Sequence, residues 1–423
     1  MPCTFSEDTK CQIVACIPLW NEFLCWLELE LRELPGEGGQ LGVVHVPGIC
    51  LPKPEETLLY QAATLLFWLL KIYHCVVSAY IPGYRVDPDV DDFKVLIGND
   101  SLKSLSFEHP WSVDSECVCK MLLSMKRLEE LHCVVPSRDE TFAKMVSWLL
   151  RASATLTVLE FIAPHMDLGQ AVLLLSGLQA NCTVRDLTIS SGAVVLNPPM
   201  FVAFMSGTAT LKHLKVVGSK CDLMFDILSW LFQGMMYNRT VSSLEVHDVS
   251  LTRESGMKGA GMLAQNKMLR SFGLWRCLPF CEFRIGEWSA TTLERKATSS
   301  WLQAISKNDT VENITLSAII WTYECWGRFF GLLSRRPSLK RLTIVVDTDE
   351  RKFLPDIARK LEESGCEKNV TIVASCGKQR FSLEDCKRYS ELWAEDQNML
   401  PQVYRYPATF PALTFLSLRI ENL

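Results

Sequence analysis

Residues 128–133 (LEELHC), 156–161 (LTVLEF), 184–189 (VRDLTI), 211–216 (LKHLKV) and 241–246 (VSSLEV) spell one phrase, apolar-x-x-apolar-x-apolar, with starts 28, 28, 27 and 30 residues apart. Positions four and six of the phrase are apolar and positions three and five mostly polar, the period-two alternation of a strand with one face buried. A phrase that returns at a near-fixed interval marks a repeating unit. It recurs at Val311, Ile314, Leu316 and at Leu339, Leu342, Ile344. Working outward, it recurs at Leu102, Leu105, Phe107, at Val76, Ala79, Ile81 and at Leu41, Val44, Val46. From the copy at Leu269, Phe272, Leu274 to the next at Val311 the interval is 42 residues, which places an insertion near residues 278–296.

Between copies the chain reads as helix. Residues 140–152 carry Phe142, Val146, Leu149 and Leu150 at helical spacing, and residues 222–234 carry Leu223, Ile227, Leu228, Leu231 and Phe232 likewise. A strand and a helix this short cannot bury their apolar faces alone, so successive units must stack into one continuous core. Asn181-Cys-Thr-Val, Asn238-Arg-Thr-Val and Asn308-Asp-Thr-Val punctuate the helix-to-strand junctions. Asparagine is expected there to end the helix in a left-handed conformation.

The phrase resembles the leucine-rich repeat, and the unit length resembles the ribonuclease-inhibitor class of that family. The resemblance implies an α/β solenoid, a horseshoe with parallel strands on the concave face and helices on the convex face, similar to the repeat region of NOD-like receptors. The ninth position, where that class carries Asn or Cys, holds Pro110, Pro136, Pro164, Gly192, Ser219 and Val249, and only Cys277 matches. A looser turn ladder and a less regular horseshoe are therefore expected. No Walker-type phosphate loop is present, so the nucleotide-binding module of NOD-like receptors is absent from this chain.

The organisation expected is a helical cap over residues 1–40, a repeat array over 41–375 and an irregular segment over 376–423. The last ends in a truncated repeat strand at Leu413, Leu416 and Leu418. In the cap, Leu19, Trp20, Phe23, Leu24 and Leu27 interleave with Glu22, Glu28 and Glu30, as an amphipathic helix sealing the open end of the stack would.

Composition narrows the function classes. A chain 48% hydrophobic and 22% charged with net charge −5 suits a soluble protein and gives no electrostatic case for nucleic acid. Residues 65–81 look briefly like a membrane span, but Lys71 and His74 interrupt them and the repeat divides them into helix and strand. The first ten residues carry no secretory pattern, and 17 scattered cysteines, several at apolar repeat positions, fit free thiols in a reducing compartment. A cytoplasmic protein is expected. Cys117-x-Cys119 and Cys277-x-x-x-Cys281 would be half of a zinc site at most, with no histidines grouped near them; no metal or cofactor is expected. Six N-x-Ser/Thr triplets begin at Asn99, Asn181, Asn238, Asn308, Asn313 and Asn369. They follow from the repeat, four at junctions and two within strands.

No H-E-x-x-H, G-x-S-x-G or C-x-x-C motif is present, and no enzyme is expected. Alternation sends positions three and five of each strand to the concave surface, which gathers Glu130, His132, Glu160, Asp186, His213, Lys215, Glu245 and Arg341. Charges of both signs suit a polar protein partner. Phe280, Phe283 and Trp288 of the insertion are further candidate contacts. The family resemblance implies an intracellular protein-interaction scaffold. The alternatives are a GTPase activator similar to the Ran GTPase-activating protein and a ubiquitin-ligase substrate adaptor of the F-box kind.

Overall fold

The computed structural model describes residues 11–35, 39–46, 55–82, 94, 96–108, 115–135, 140–218, 226–277, 295–320, 323–336, 338–347, 351, 353–374 and 380–387. Fourteen strands in these residues form one sheet in strict chain order. They are β1 (Leu29–Glu33), β2 (Leu41–His45), β3 (Val76–Ile81), β4 (Ser104–Glu108), β5 (Glu130–Val134), β6 (Val158–Ile162) and β7 (Asp186–Ser190), then β8 (His213–Val217), β9 (Ser243–His247), β10 (Ser271–Trp275), β11 (Asn313–Ser317), β12 (Arg341–Val346), β13 (Val370–Ala374) and β14 (Arg380–Phe381). From β2 to β13 every pairing is parallel, whereas β1 on β2 and β14 on β13 are antiparallel. The fold is an α/β leucine-rich repeat solenoid.

Register explains why the phrase repeats. Leu131, Leu159, Leu187, Leu214, Leu244, Phe272, Ile314 and Leu342 stand side by side in one unbroken column, and none is more than 2% exposed. Helices such as Glu140–Ala152, Leu168–Ala180, Ile227–Tyr237 and Arg253–Gln265 cover that column with their own buried faces. Phe142 of the first helix lies edge-on to Phe107 at 5.7 Å and over Phe161 at 6.2 Å, joining helix to strands across three units. Packed helices need about 8–10 Å between axes and paired strands only about 4.8 Å, so the strands take the inside of the curve.

Five junction asparagines bind the units together. The side-chain oxygens of Asn99, Asn181, Asn238, Asn266 and Asn308 each accept from the backbone N–H groups two and three residues on, at 2.7–3.1 Å. Their Nδ2 groups donate to Leu70, Leu150, Met205, Met235 and Leu263 carbonyls of the preceding unit, at 2.6–2.9 Å. At two of the junctions a threonine two residues on adds a second bond across the seam, Thr183 to the Leu156 carbonyl at 2.7 Å and Thr240 to the Thr208 carbonyl at 3.3 Å. These asparagines are not left-handed: Asn181, Asn238 and Asn266 have φ of −82°, −70° and −73° and extended ψ. They act through the side chain, so the junction needs no αL residue. The weak ninth position is thus accompanied by asparagine bonds at the opposite end of five strands, β4, β7, β9, β10 and β11. Cys277 at the ninth position is buried and directs its thiol to the Val246 carbonyl at 3.6 Å. Of the two sequons expected within strands, Asn313 begins β11, whereas Asn369 ends a 3-10 turn (Glu367–Asn369) before β13.

Two further expectations shift near the N-terminus. Residues read as helical form an α-helix over Ile17–Leu24 with 3-10 turns at Gln12–Cys16 and Cys25–Leu27, after which Leu29–Glu33 pairs with β2 as a strand. Asn21 fixes the return, accepting from the Leu31 N–H at 2.7 Å and donating to the Leu31 carbonyl at 3.1 Å. In β2 the buried residues are Leu41, Gly42 and Val43, while Val44 and, just past the strand, Val46 are half-buried. A register irregularity between Leu41 and Gly42 turns the following residues to opposite faces. The segment 65–81 divides as expected into the helix Glu56–Ile72 and β3, and no helix in the described residues is long and apolar enough to cross a membrane.

Candidate partner-binding face

Strands β5, β6 and β9 alternate half-buried and buried along all five residues, so positions three, five and seven of the repeat face away from the helices. Parallel register turns these positions into rows that run across the strands. Position five reads His132, Glu160, Thr188, Lys215, Glu245 and Gly273 from β5 to β10. Position three reads Glu130, Val158, Asp186, His213 and Ser243. Position seven reads Val134 and Ile162 on β5 and β6 and Val217, His247 and Trp275 on β8 to β10, whereas on β7 it is Ser190, which is buried and accepts from the Ala163 N–H at 2.7 Å.

Neighbouring strands place opposite charges together. His132 Nδ1 lies 3.0 Å from Glu160 Oε2, and its Nε2 is 3.9 Å from Glu130. The bond to Glu160 raises the His132 pKa above its ordinary value against the opposing effect of burial, with the Glu130 charge adding. The same bond holds the Glu160 carboxyl below the usual carboxylate range, helped by Lys215. Glu245 is lowered first by its 3.4 Å bond to His247 and then by the charges of His247, Lys215 and His213. On the third-position row, His213 Nε2 is 3.7 Å from Asp186.

At β9 and β10 the surface becomes aromatic. The His247 ring stacks on Trp275 at 5.4 Å and 4°. The indole lies back over Gly273, where an added Cβ would come within 3.1 Å of its Nε1. Just past these strands, Asp248 and Arg276 hold left-handed backbone at φ 57° and 50° and pair with each other at 2.5 Å. Left-handed non-glycine residues cost on the order of 1–3 kcal/mol each and persist where surrounding contacts enforce them.

Seven of the eight residues expected on this face therefore form one contiguous band on β5 to β9. Arg341 is exposed on β12, three strands beyond, and stands apart from the band. Phe280, Phe283 and Trp288 lie outside the described residues, as does the strand expected at Leu413, Leu416 and Leu418. The seventh-position row was not foreseen; the signal for it was the apolar residue one place past each phrase, at Val134, Ile162 and Val217. In the described residues no three His, Cys, Asp or Glu side chains stand together as a metal site. A cavity of about 280 Å³ lies elsewhere, between the ends of Leu168–Ala180 and Pro198–Gly207, and none of the band residues lines it.

No family model and no curated protein sequence matches the chain. Among solved structures it is similar to the leucine-rich repeat-containing protein LegL7 from Legionella pneumophila, at 14% identity over 77% of this chain and 93% of that one, with TM-score 0.43. It is also similar to a chain of the yeast Rad7–Elc1 complex, at 14% identity over 75% and 83%, with TM-score 0.39. Likenesses this distant add nothing to the fold seen in the register and burial of the strands.

Proposed function

We propose that this chain is a non-catalytic, cytoplasmic scaffold of the ribonuclease-inhibitor-like kind that binds a protein partner on the concave face of its sheet. The observation that carries the reading is the contiguous band on β5 to β9, where acids and bases from five adjacent strands are interleaved and half-exposed. A mixed-sign surface discriminates between protein partners by complementarity, whereas a phosphate-rich ligand calls for one sign. The net charge of −5 favours the same partner class. Against catalysis stands the openness of the band: its histidines and carboxylates lie on the exposed side of a sheet, and none of them lines the cavity found among the described residues. The buried thiols of Cys133 and Cys277 are pushed up in pKa, away from nucleophilic use, the second to about 12. Free thiols on both buried and exposed cysteines support a reducing compartment. Proximity labelling in cells, comparing the native chain with one reversed at Glu130, Asp186 and Lys215, tests the reading; an unchanged partner set would sink it.

One observation favours a second reading, the substrate adaptor. Where the N-terminal cap meets the helix Glu56–Ile72, Trp20 stacks on Trp68 at 6.3 Å with Tyr73 edge-on to both, and Leu19, Phe23 and Trp68 are exposed. An adaptor would use such a patch to hold a second subunit. Co-purification of a ligase subunit with the full chain, lost on Leu19→Asp with Phe23→Asp, is the outcome this reading requires.

A further inference from the structure

We infer that the concave band takes an amphipathic helix of its partner, with the helix axis crossing the strands; this rests on the reading that the face binds a protein, and adds the shape and charge of what binds. The seventh-position row supplies four half-buried apolar residues, Val134 and Ile162 on β5 and β6 and Val217 and Trp275 on β8 and β10, with the buried Ser190 between the two pairs and His247 stacked against Trp275. Beside it the fifth-position row supplies Glu160, Lys215 and Glu245, with the glutamate side chains 38% and 41% exposed. An apolar row flanked by a charged row is the negative of an amphipathic helix face.

Spacing selects a helix over an extended segment. Strands repeat every ~4.8 Å and helix turns every ~5.4 Å, so a helix lying across the sheet keeps close to one side chain per strand. In an extended chain same-face residues are ~6.7 Å apart, and two strands are enough to lose step. From β5 to β10 the five strand steps span roughly 24 Å, equal to about 16 residues of helix. Charge positions follow from the same arithmetic. Lys215 lies two strand steps from Glu160 and Glu245 three, distances of about 6 and 10 helical residues. Near those spacings, residues at about i+7 and at i+10 or i+11 stay on the helix face of residue i, so the partner helix should carry a basic residue at i, an acidic one at about i+7 and a basic one at i+10 or i+11, beside an apolar stripe that ends against Trp275.

Selection of a displayed library of peptides about 18 residues long against the full chain tests this. The expected winners are helical on binding by circular dichroism and carry that charge order. They lose at least about tenfold in affinity for Glu160→Lys and for Val134→Ser with Val217→Ser, and are unaffected by Leu19→Asp on the cap. An unchanged melting temperature in each variant shows that the face, and not the fold, was altered. Winners that compete at the face but tolerate proline at every position would overturn the helix while leaving the concave reading intact. Winners indifferent to the concave variants, or no enrichment at all, would overturn both.

Discussion

Replacing Asn238 by alanine removes one side chain and strands three backbone groups. Its oxygen accepts from Thr240 and Val241 N–H at 2.9 and 2.7 Å, its Nδ2 donates to the Met205 carbonyl at 2.7 Å, and the residue is 0% exposed. An unmade hydrogen bond on a buried group costs about 1–3 kcal/mol, so three of them with partial relaxation give ~3–5 kcal/mol for Asn238→Ala. Asn181 makes the equivalent bonds to Thr183, Val184 and Leu150, but at a half-buried site. Water can replace much of what is lost there, and Asn181→Ala should cost only ~1–2 kcal/mol. Urea unfolding followed by circular dichroism gives both values. Hydrogen exchange at the Thr240 and Val241 amides then reports whether the loss is local to the junction, as weak coupling beyond neighbouring units requires. A cost below ~1 kcal/mol at Asn238, or equal costs at the two sites, would refute the claim that these asparagines hold unit to unit.

The pair His132–Glu160 gives a pH signature. His132 is raised, so its share of stability is complete below the ordinary histidine pKa of 6.5 and is lost as pH climbs through the raised value. Glu160 is lowered, so its share is complete above the ordinary glutamate value of 4.5 and is lost as pH falls through the lowered one. The His132 titration midpoint by NMR should sit above 6.5 and return toward it in Glu160→Gln; a midpoint that does not move would count against the pair. Thiol titration of the native chain should label the exposed Cys16 and Cys182 at once and spare Cys133 and Cys277 until unfolding. At Gly259 an added Cβ would meet Trp301 at 2.7 Å and Phe232 at 2.8 Å. Overpacking of this kind predicts a loss of ~1–3 kcal/mol for Gly259→Ala, readable in the same urea experiment.

What the sequence made legible were positions whose period is set by burial. Leu131, Leu159, Leu187 and their column were readable because a half-buried strand has a period of two and the unit a period near 28. β1 was hidden because Leu29 and Leu31 alternate with Glu30 and Arg32 for only a few residues, directly after a helix whose period masks them. The half-turn error in β2 arose because an irregularity at Gly42 resets alternation without changing composition. The junction asparagines were noticed but given a backbone role, since sequence shows that Asn recurs and not whether its torsion or its amide does the bonding. The concave acids and bases were placed from alternation alone. Their pairing across strands, and the aromatic end at Trp275, needed the register between units.

The junction at Asn308 has a consequence for how such a chain changes over time. Its Nδ2 reaches the Leu263 and Asn266 carbonyls at 2.6 and 3.0 Å, and β10 meets β11 in the same register as any other neighbours, Phe272 beside Ile314. Both contacts are made entirely by residues flanking 278–294. The register between β10 and β11 is thus carried by contacts among residues on either side of that interval. A change of length in that interval is therefore expected to leave Phe272 beside Ile314 and the charged band on β5 to β9 in place, which hydrogen exchange on β9 to β11 would check.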